Sequence, residues 1–461
     1  MTALWLVLAA VVFLAVWRPS WALWLTMAAV VLYDDRQISE SAVLKGMPVL
    51  STIFNIRLAG LQFIDWCVAA LLISAIFSLA FARPSRSQEI LKMFRGFSLP
   101  VLLSVSMLPY ILSAGIGLFN GNSIYRLVQD LQNQCYVAAL MLVVVVFIDN
   151  KAKLVNTMLV LAGALVIKTI ILLLRYLARV GYVWENVFRF TISSDTVLLT
   201  ILIGWCLYWL IFQQNTWLRR LAAAGVLAGA AFIEFEIAGR TSIVLILFQV
   251  IAIAGYLTTR RRMYFLLGLT VSAILLISSL AVFKPQLASF YRWRIETIFQ
   301  WQENQTGRGG QLLSNSIKVL EYKNIDALLK SKRSLVLGMG QGAFWKDEFY
   351  PIKMPKINDA YAPGETEHYS SHLQPLTQLL KMGWAGVILY WGALLAALAR
   401  LYHLTARSRD GWPGRLVLLG LIPLIFNLSN YVRLFFFIGI FWGAAFLIES
   451  QVCKGEPKNA R

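Results

Sequence analysis

Apolar residues run through this chain in blocks that match or exceed the roughly 17 residues a helix needs to cross the hydrocarbon core of a bilayer, and polar residues gather between them. Blocks lie near 3–17, 20–33, 62–82, 97–118, 132–149, 155–178, 195–213, 217–236, 242–258, 263–283, 376–402, 413–429 and 433–451. The first two are short and read as a hairpin turning at Arg18-Pro19, and 39–57 reads as an interfacial stretch. The pattern predicts an all-α, polytopic membrane protein of roughly 12 to 14 transmembrane helices.

One stretch breaks the alternation. Residues 285–371 form the only long hydrophilic segment, and a loop of that length carries structure and function of its own. Within it Leu312–Lys330 places apolar residues at helical spacing behind the turn "TGRGG". The breaker-rich "LVLGMGQGAFW" and the Pro-spaced "YPIKMPKINDAYAPGETEH" follow. The chain therefore divides into transmembrane helices at 1–284, a large external loop at 285–371, and C-terminal helices with a tail at 372–461.

Composition agrees with a membrane interior: 59% of residues are hydrophobic and 14% charged, with a mean hydropathy of +0.66. The net charge of +19 suggests a nucleic-acid binder until its distribution is read. The cations sit in short loops, at Arg83, Arg86, Lys92 and Arg95, at Lys151 and Lys153, at Arg219 and Arg220, at Arg260 to Arg262, and at Arg407, Arg409 and Arg415. Placing these five loops in the cytoplasm leaves every intervening loop outside, which is the positive-inside pattern, and removes nucleic acid as the partner. The first segment lacks a basic leader, so no cleaved signal peptide is expected. Cys67, Cys135, Cys206 and Cys453 fall in spans or in the tail, with neither a disulfide framework nor zinc spacing.

Candidate chemistry collects at the outer face. In "HYSSHLQPLTQLLKMGWAG", His368 and His372 lead into a span, with Ser370 and Ser371 available as caps. An imidazole there can take a proton from a hydroxyl, or simply bond a headgroup. In "EFEIAGRTSIVLILFQV", Arg240 opens a span after Glu234 and Glu236. Charges this close to hydrocarbon face a polar cavity, or else pair locally across a tight hairpin. Arg308 sits among glycines where backbone N–H groups and a guanidinium can hold a phosphate, without the spacing of a nucleotide-binding loop. Lys168 lies inside a span, Arg189 in an external loop, and His403 at the cytoplasmic end.

These residues resemble the superfamily of O-antigen ligases and O-antigen polymerases, membrane glycosyltransferases that use undecaprenyl-diphosphate-linked glycans. Three signatures occur in order: the arginine of "AGRTSIVL", the "GR" of "TGRGGQLLSNSIKVL" followed by "LGMGQGAF", and His372 with Gly383 and Gly386 eleven and fourteen positions later. The similar region runs from about 235 to 390. Leu373 and Lys381 stand where the family often has Asn and an acidic residue.

The resemblance implies a bacterial inner-membrane enzyme with a periplasmic active site. In it His372 deprotonates the acceptor sugar hydroxyl, and Arg240 and Arg308 stabilise the departing lipid diphosphate. Glycosyl transfer would be inverting, with no nucleotide, metal or other cofactor. Arg189, His368, Lys168 and Glu236 are the expected substrate contacts. The donor is an undecaprenyl-diphosphate-linked glycan, the acceptor a second glycan or lipid A core, and further partners are membrane lipid and a chain-length regulator. A polymerase for O-antigen, capsule or exopolysaccharide is the reading preferred, with an O-antigen ligase as the alternative. A flippase or ion-coupled transporter would instead call for pseudo-symmetric halves and charges at mid-membrane; the polar residues here concentrate in one external loop.

Overall fold

The computed structural model describes residues 2–32, 57–58, 61–81, 98–177, 193–213, 216–237, 240–283, 289, 296, 314–352, 367–371, 373–407, 411–427 and 432–455. Among them are fourteen helices and one antiparallel pair of two-residue strands, Arg57–Leu58 with Leu61–Gln62. The chain is all-helical, as the sequence pattern predicts. The segment at 39–57 lies almost wholly outside the described residues.

The helices are α1 (Thr2–Trp17), α2 (Pro19–Leu32), α3 (Phe63–Ala80), α4 (Leu99–Phe119), α5 (Ile124–Phe147), α6 (Lys151–Leu177) and α7 (Ser193–Phe212). After them come α8 (Trp217–Ile237), α9 (Arg240–Gly255), α10 (Thr259–Phe283), α11 (Ser314–Ser331), α12 (Gln374–Arg407), α13 (Trp412–Phe426) and α14 (Val432–Gly455). Each of the thirteen apolar blocks coincides with one of these helices, and α11 is the helix expected inside the long loop. Seven helices among the described residues are long and apolar enough to cross a membrane, and four more are apolar but shorter. The N-terminal pair is one of the short sets, with α1 packed on α2 as the Arg18-Pro19 turn predicts.

At the centre stands α14, whose "LFFFIGIFWGAAFLI" is buried on every side. A helix apolar all round belongs inside a bundle. Its main partner is α5, and the approach is close: a Cβ at Gly439 would lie 2.8 Å from the Val137 carbonyl, and one at Gly443 2.6 Å from Val144 Cβ. Two glycines four apart let the backbones meet, the usual way to pack helices where lipid removes the hydrophobic driving force.

A second, smaller core lies under the long loop. Leu320, Ile325 and Leu329 of α11 pack with Ala343, Trp345 and Ile352 and with Leu379 and Leu380 of α12. The loop is thereby fastened to the first turns of α12. At the opposite end of the bundle, Glu449 of α14 accepts from Arg400 and from the Leu99 N–H at 2.8 Å. Arg262 binds the carbonyls of Ala254 and Leu257, and Arg415 that of Thr405. These basic groups share one end, and the α11 loop lies at the other.

Candidate functional site

After α11 the chain runs against α12, with Val336 and Leu337 exposed and Gly338 and residues 340–342 buried. The helix α12 is interrupted where they meet it. Gly383 has φ 64° and ψ −176°, a backbone conformation open essentially to glycine. The interruption frees hydrogen-bonding groups, and the loop takes them up. Met339 and Gly340 N–H donate to the Leu380 and Lys381 carbonyls, both at 2.9 Å, while Trp384 and Ala385 N–H donate to Leu335 and Val336 carbonyls, both at 3.1 Å. Leu380 and Lys381 carbonyls would otherwise accept from Trp384 and Ala385 themselves. Loop and helix have exchanged partners, which keeps the polar groups of the irregular backbone satisfied.

On its other side the loop is held by α4 and α5. Gln341 N–H donates to the Ser113 carbonyl at 2.9 Å, and its side-chain amide to Ser113 Oγ at 2.7 Å. A Cβ on Gly340 would stand 2.2 Å from the Gly117 nitrogen, so only a glycine fits. Asn120 and Asn122 both donate to the Met339 carbonyl at 3.1 Å. Gly342 N–H donates to Asp130 Oδ2 at 2.7 Å, and the other oxygen of Asp130 pairs with Lys381. Asp130 therefore ties α5, α12 and the loop together with charge-assisted bonds.

Between α4, α5, α12 and this loop is a cavity of about 60 Å³, room for a few waters. Its walls are amide-rich. Gln129, Asn133 and Gln134 come from α5, Gln374 and Gln378 from α12, and Gln341 from the loop. Tyr110 accepts from the Gln378 amide at 2.8 Å, and Gln378 in turn accepts from Trp391 Nε1 at 2.9 Å, bridging the helix break.

A second polar cluster is closed off within the bundle. Asp195, at the start of α7, pairs with Arg433 of α14 at 2.5 Å and with Lys168 of α6 at 3.4 Å. Arg433 also donates to the Val31 carbonyl, and Lys168 to the Leu32 carbonyl at 3.4 Å, at the end of α2. All three charged side chains are at most 1% exposed. Concentration of the polar residues in one external loop is thus corrected: helices pair buried charges wherever the apolar solvent around them offers no other partner. Lys168→Met leaves Asp195 with its Arg433 partner, so we expect a cost of about 1 kcal/mol in thermal unfolding. A loss as large as that from Arg433→Met would show that Lys168 carries the cluster.

Of the site residues read from the sequence, two are fully described, and they occupy different clusters. Lys168 is sealed in the charge cluster. His368 exchanges backbone hydrogen bonds with Trp345, at 2.8 and 2.9 Å, and its ring lies 4.5 Å from the Trp345 ring at 28°. Beside it, Tyr369 donates to Glu367 Oε2 at 2.6 Å, and the Arg126 guanidinium stacks 4.2 Å over the Tyr369 ring. That hydrogen bond to the carboxylate, with some burial, raises the Tyr369 hydroxyl above the usual tyrosine range. The phenol stays a neutral donor.

His372, Arg308 and Arg189 lie outside the described residues, as do the side chains of Arg240 and Glu236. Both neighbours of His372 are described. Ser371 N–H donates to Thr377 Oγ1 at 2.9 Å, and Ser371 Oγ donates to the Leu373 carbonyl at 2.6 Å rather than capping a helix N–H. Gln374, two residues after His372, lines the cavity.

Asp130, Gln134 and Arg126 were absent from the sequence-based candidates, although a signal existed. "RLVQDLQNQ" places polar side chains on an otherwise apolar helix, and Gln374, Thr377, Gln378 and Lys381 fall at i, i+3, i+4 and i+7 on one face. No model of a known protein family matches this chain, and no functionally curated protein does.

Proposed function

We propose that this protein is a multi-pass membrane glycosyltransferase that joins undecaprenyl-diphosphate-linked oligosaccharide repeats by metal-independent inverting transfer. The observation that carries the reading is the broken α12 with the glycine loop set into it. Together they bring an amide-rich cavity to the chain two residues from His372. Interrupted helices and irregular backbone beside a polar cavity are the membrane-protein form of a binding site. The basic groups Arg262, Arg400 and Arg415 lie at the opposite end, which by the positive-inside pattern supports a periplasmic reading of the cavity.

Each step of transfer then has a group of the right chemistry. His372 takes the proton of the acceptor hydroxyl as that oxygen attacks the anomeric carbon from the face opposite the diphosphate. The carbon–oxygen bond to the diphosphate breaks, and Arg240 and Arg308 stabilise the leaving charge. The anomeric configuration inverts. No external energy source is needed, because the diphosphate is already an activated leaving group.

Purified protein in lipid nanodiscs, given undecaprenyl-diphosphate repeat units alone and read by gel, tests the reading. Wild type should produce a ladder, and His372→Ala should lose about 10²- to 10⁴-fold in rate while inserting normally. Equal rates for the two would remove His372 from the mechanism. No ladder, with product only when lipid A core is added, would make the enzyme a ligase; no product in either case would favour a transporter.

A further inference from the structure

We infer that the cavity walled by Gln134, Gln378 and the Asp130–Lys381 pair is a binding subsite for an uncharged sugar ring of the glycan, and not for the lipid diphosphate. The inference rests on the glycosyltransferase reading and adds to it the division of labour between sugar and phosphate. The first ground is charge. Lys381 is the one cation lining the cavity among the described residues, and Asp130 neutralises it, so nothing there is left over for a phosphate dianion. The second ground is the wall chemistry. Primary amides offer a donor and an acceptor side by side, which matches vicinal hydroxyls and acetamido groups.

The third ground points directly at a ligand. Gln134 is 7% exposed, lines the cavity, and its Oε1 accepts no hydrogen bond. A buried acceptor without a donor costs free energy, and native proteins keep few of them without a functional reason. A sugar hydroxyl supplies the missing donor. Met382 and Phe435 line the same cavity and give the apolar face of the ring a surface to lie on. At about 60 Å³ the cavity admits the edge of one ring and not a chain, so the subsite reads a single residue of the repeat.

Gln134→Leu separates binding from folding, because in the free protein its carbonyl has no partner to lose. The probes are oligosaccharides released by mild acid from the host's polyprenyl-diphosphate lipids, and inorganic pyrophosphate, each titrated into detergent-purified protein. The expected result is unchanged or raised thermal stability for Gln134→Leu, oligosaccharide affinity weakened about tenfold, and pyrophosphate affinity unchanged. Equal oligosaccharide affinity in wild type and Gln134→Leu, including no measurable affinity in either, overturns the inference, as does a larger effect on pyrophosphate than on sugar. The two levels fail separately. Binding that depends on Gln134 without any transfer would leave a sugar site in a protein that is not a transferase; transfer whose KM is indifferent to Gln134 would leave a transferase whose sugar site is elsewhere.

Discussion

Asp130→Ala is expected to cost this protein about 3 to 5 kcal/mol of stability, and the double change Asp130→Ala with Lys381→Met to recover most of that loss. Lys381 is 6% exposed and Asp130 14%. Removing the carboxylate strands a largely buried ammonium, and it leaves the Gly342 N–H without its acceptor. The second change removes the stranded charge and keeps an unbranched side chain of similar reach. Unfolding in detergent, by heat or denaturant, measures both variants. A double variant as unstable as the single would mean that Asp130 acts mainly through the loop N–H, and not through the ion pair.

Gly383→Ala is expected to be comparably damaging, at about 3 kcal/mol or more. Adopting its backbone conformation costs an alanine about 1 to 3 kcal/mol, and the added Cβ would stand 2.2 Å from the Val336 carbonyl oxygen. Relief requires the loop to withdraw, breaking the four exchanged hydrogen bonds between Leu335–Gly340 and Leu380–Ala385. Gly392 is the control in the same helix: a Cβ there meets nothing within 4 Å, so Gly392→Ala should be neutral or gain about 0.5 to 1 kcal/mol. Thermal unfolding compares them directly. Similar melting for the two would mean that α12 runs unbroken. On the proposed function, transfer should also fall with Gly383→Ala under conditions where it remains folded, since the loop then no longer closes the cavity.

Much of the architecture was legible in the residues. Each apolar block became a helix because a segment in lipid can satisfy its backbone only internally, a constraint that acts on every span separately and needs no tertiary information. The helix at Ser314–Ser331 was legible for a related reason, its apolar stripe at helical spacing requiring a core to dock against. Gly383 was visible as a glycine at a particular distance from His372. That it breaks α12 was not, since a single glycine in an apolar helix is ordinary.

The site was legible only in part. Histidines and arginines attract notice anywhere near a membrane, whereas glutamines on an apolar helix do not, and Gln134 and Gln378 acquire meaning from standing across from each other. Lys168 illustrates the converse: conspicuous in sequence, it is closed in by Asp195 and the end of α2. By itself the sequence determined the helices, including the one inside the long polar segment, because hydrophobic length and helical spacing are local properties. Tertiary structure alone decided which charges neutralise one another, where the glycine loop enters, and that an amide-lined cavity forms there. Those depend on contacts between residues far apart in the chain, Asp130 and Gly342 by 212 positions, and no local pattern encodes them.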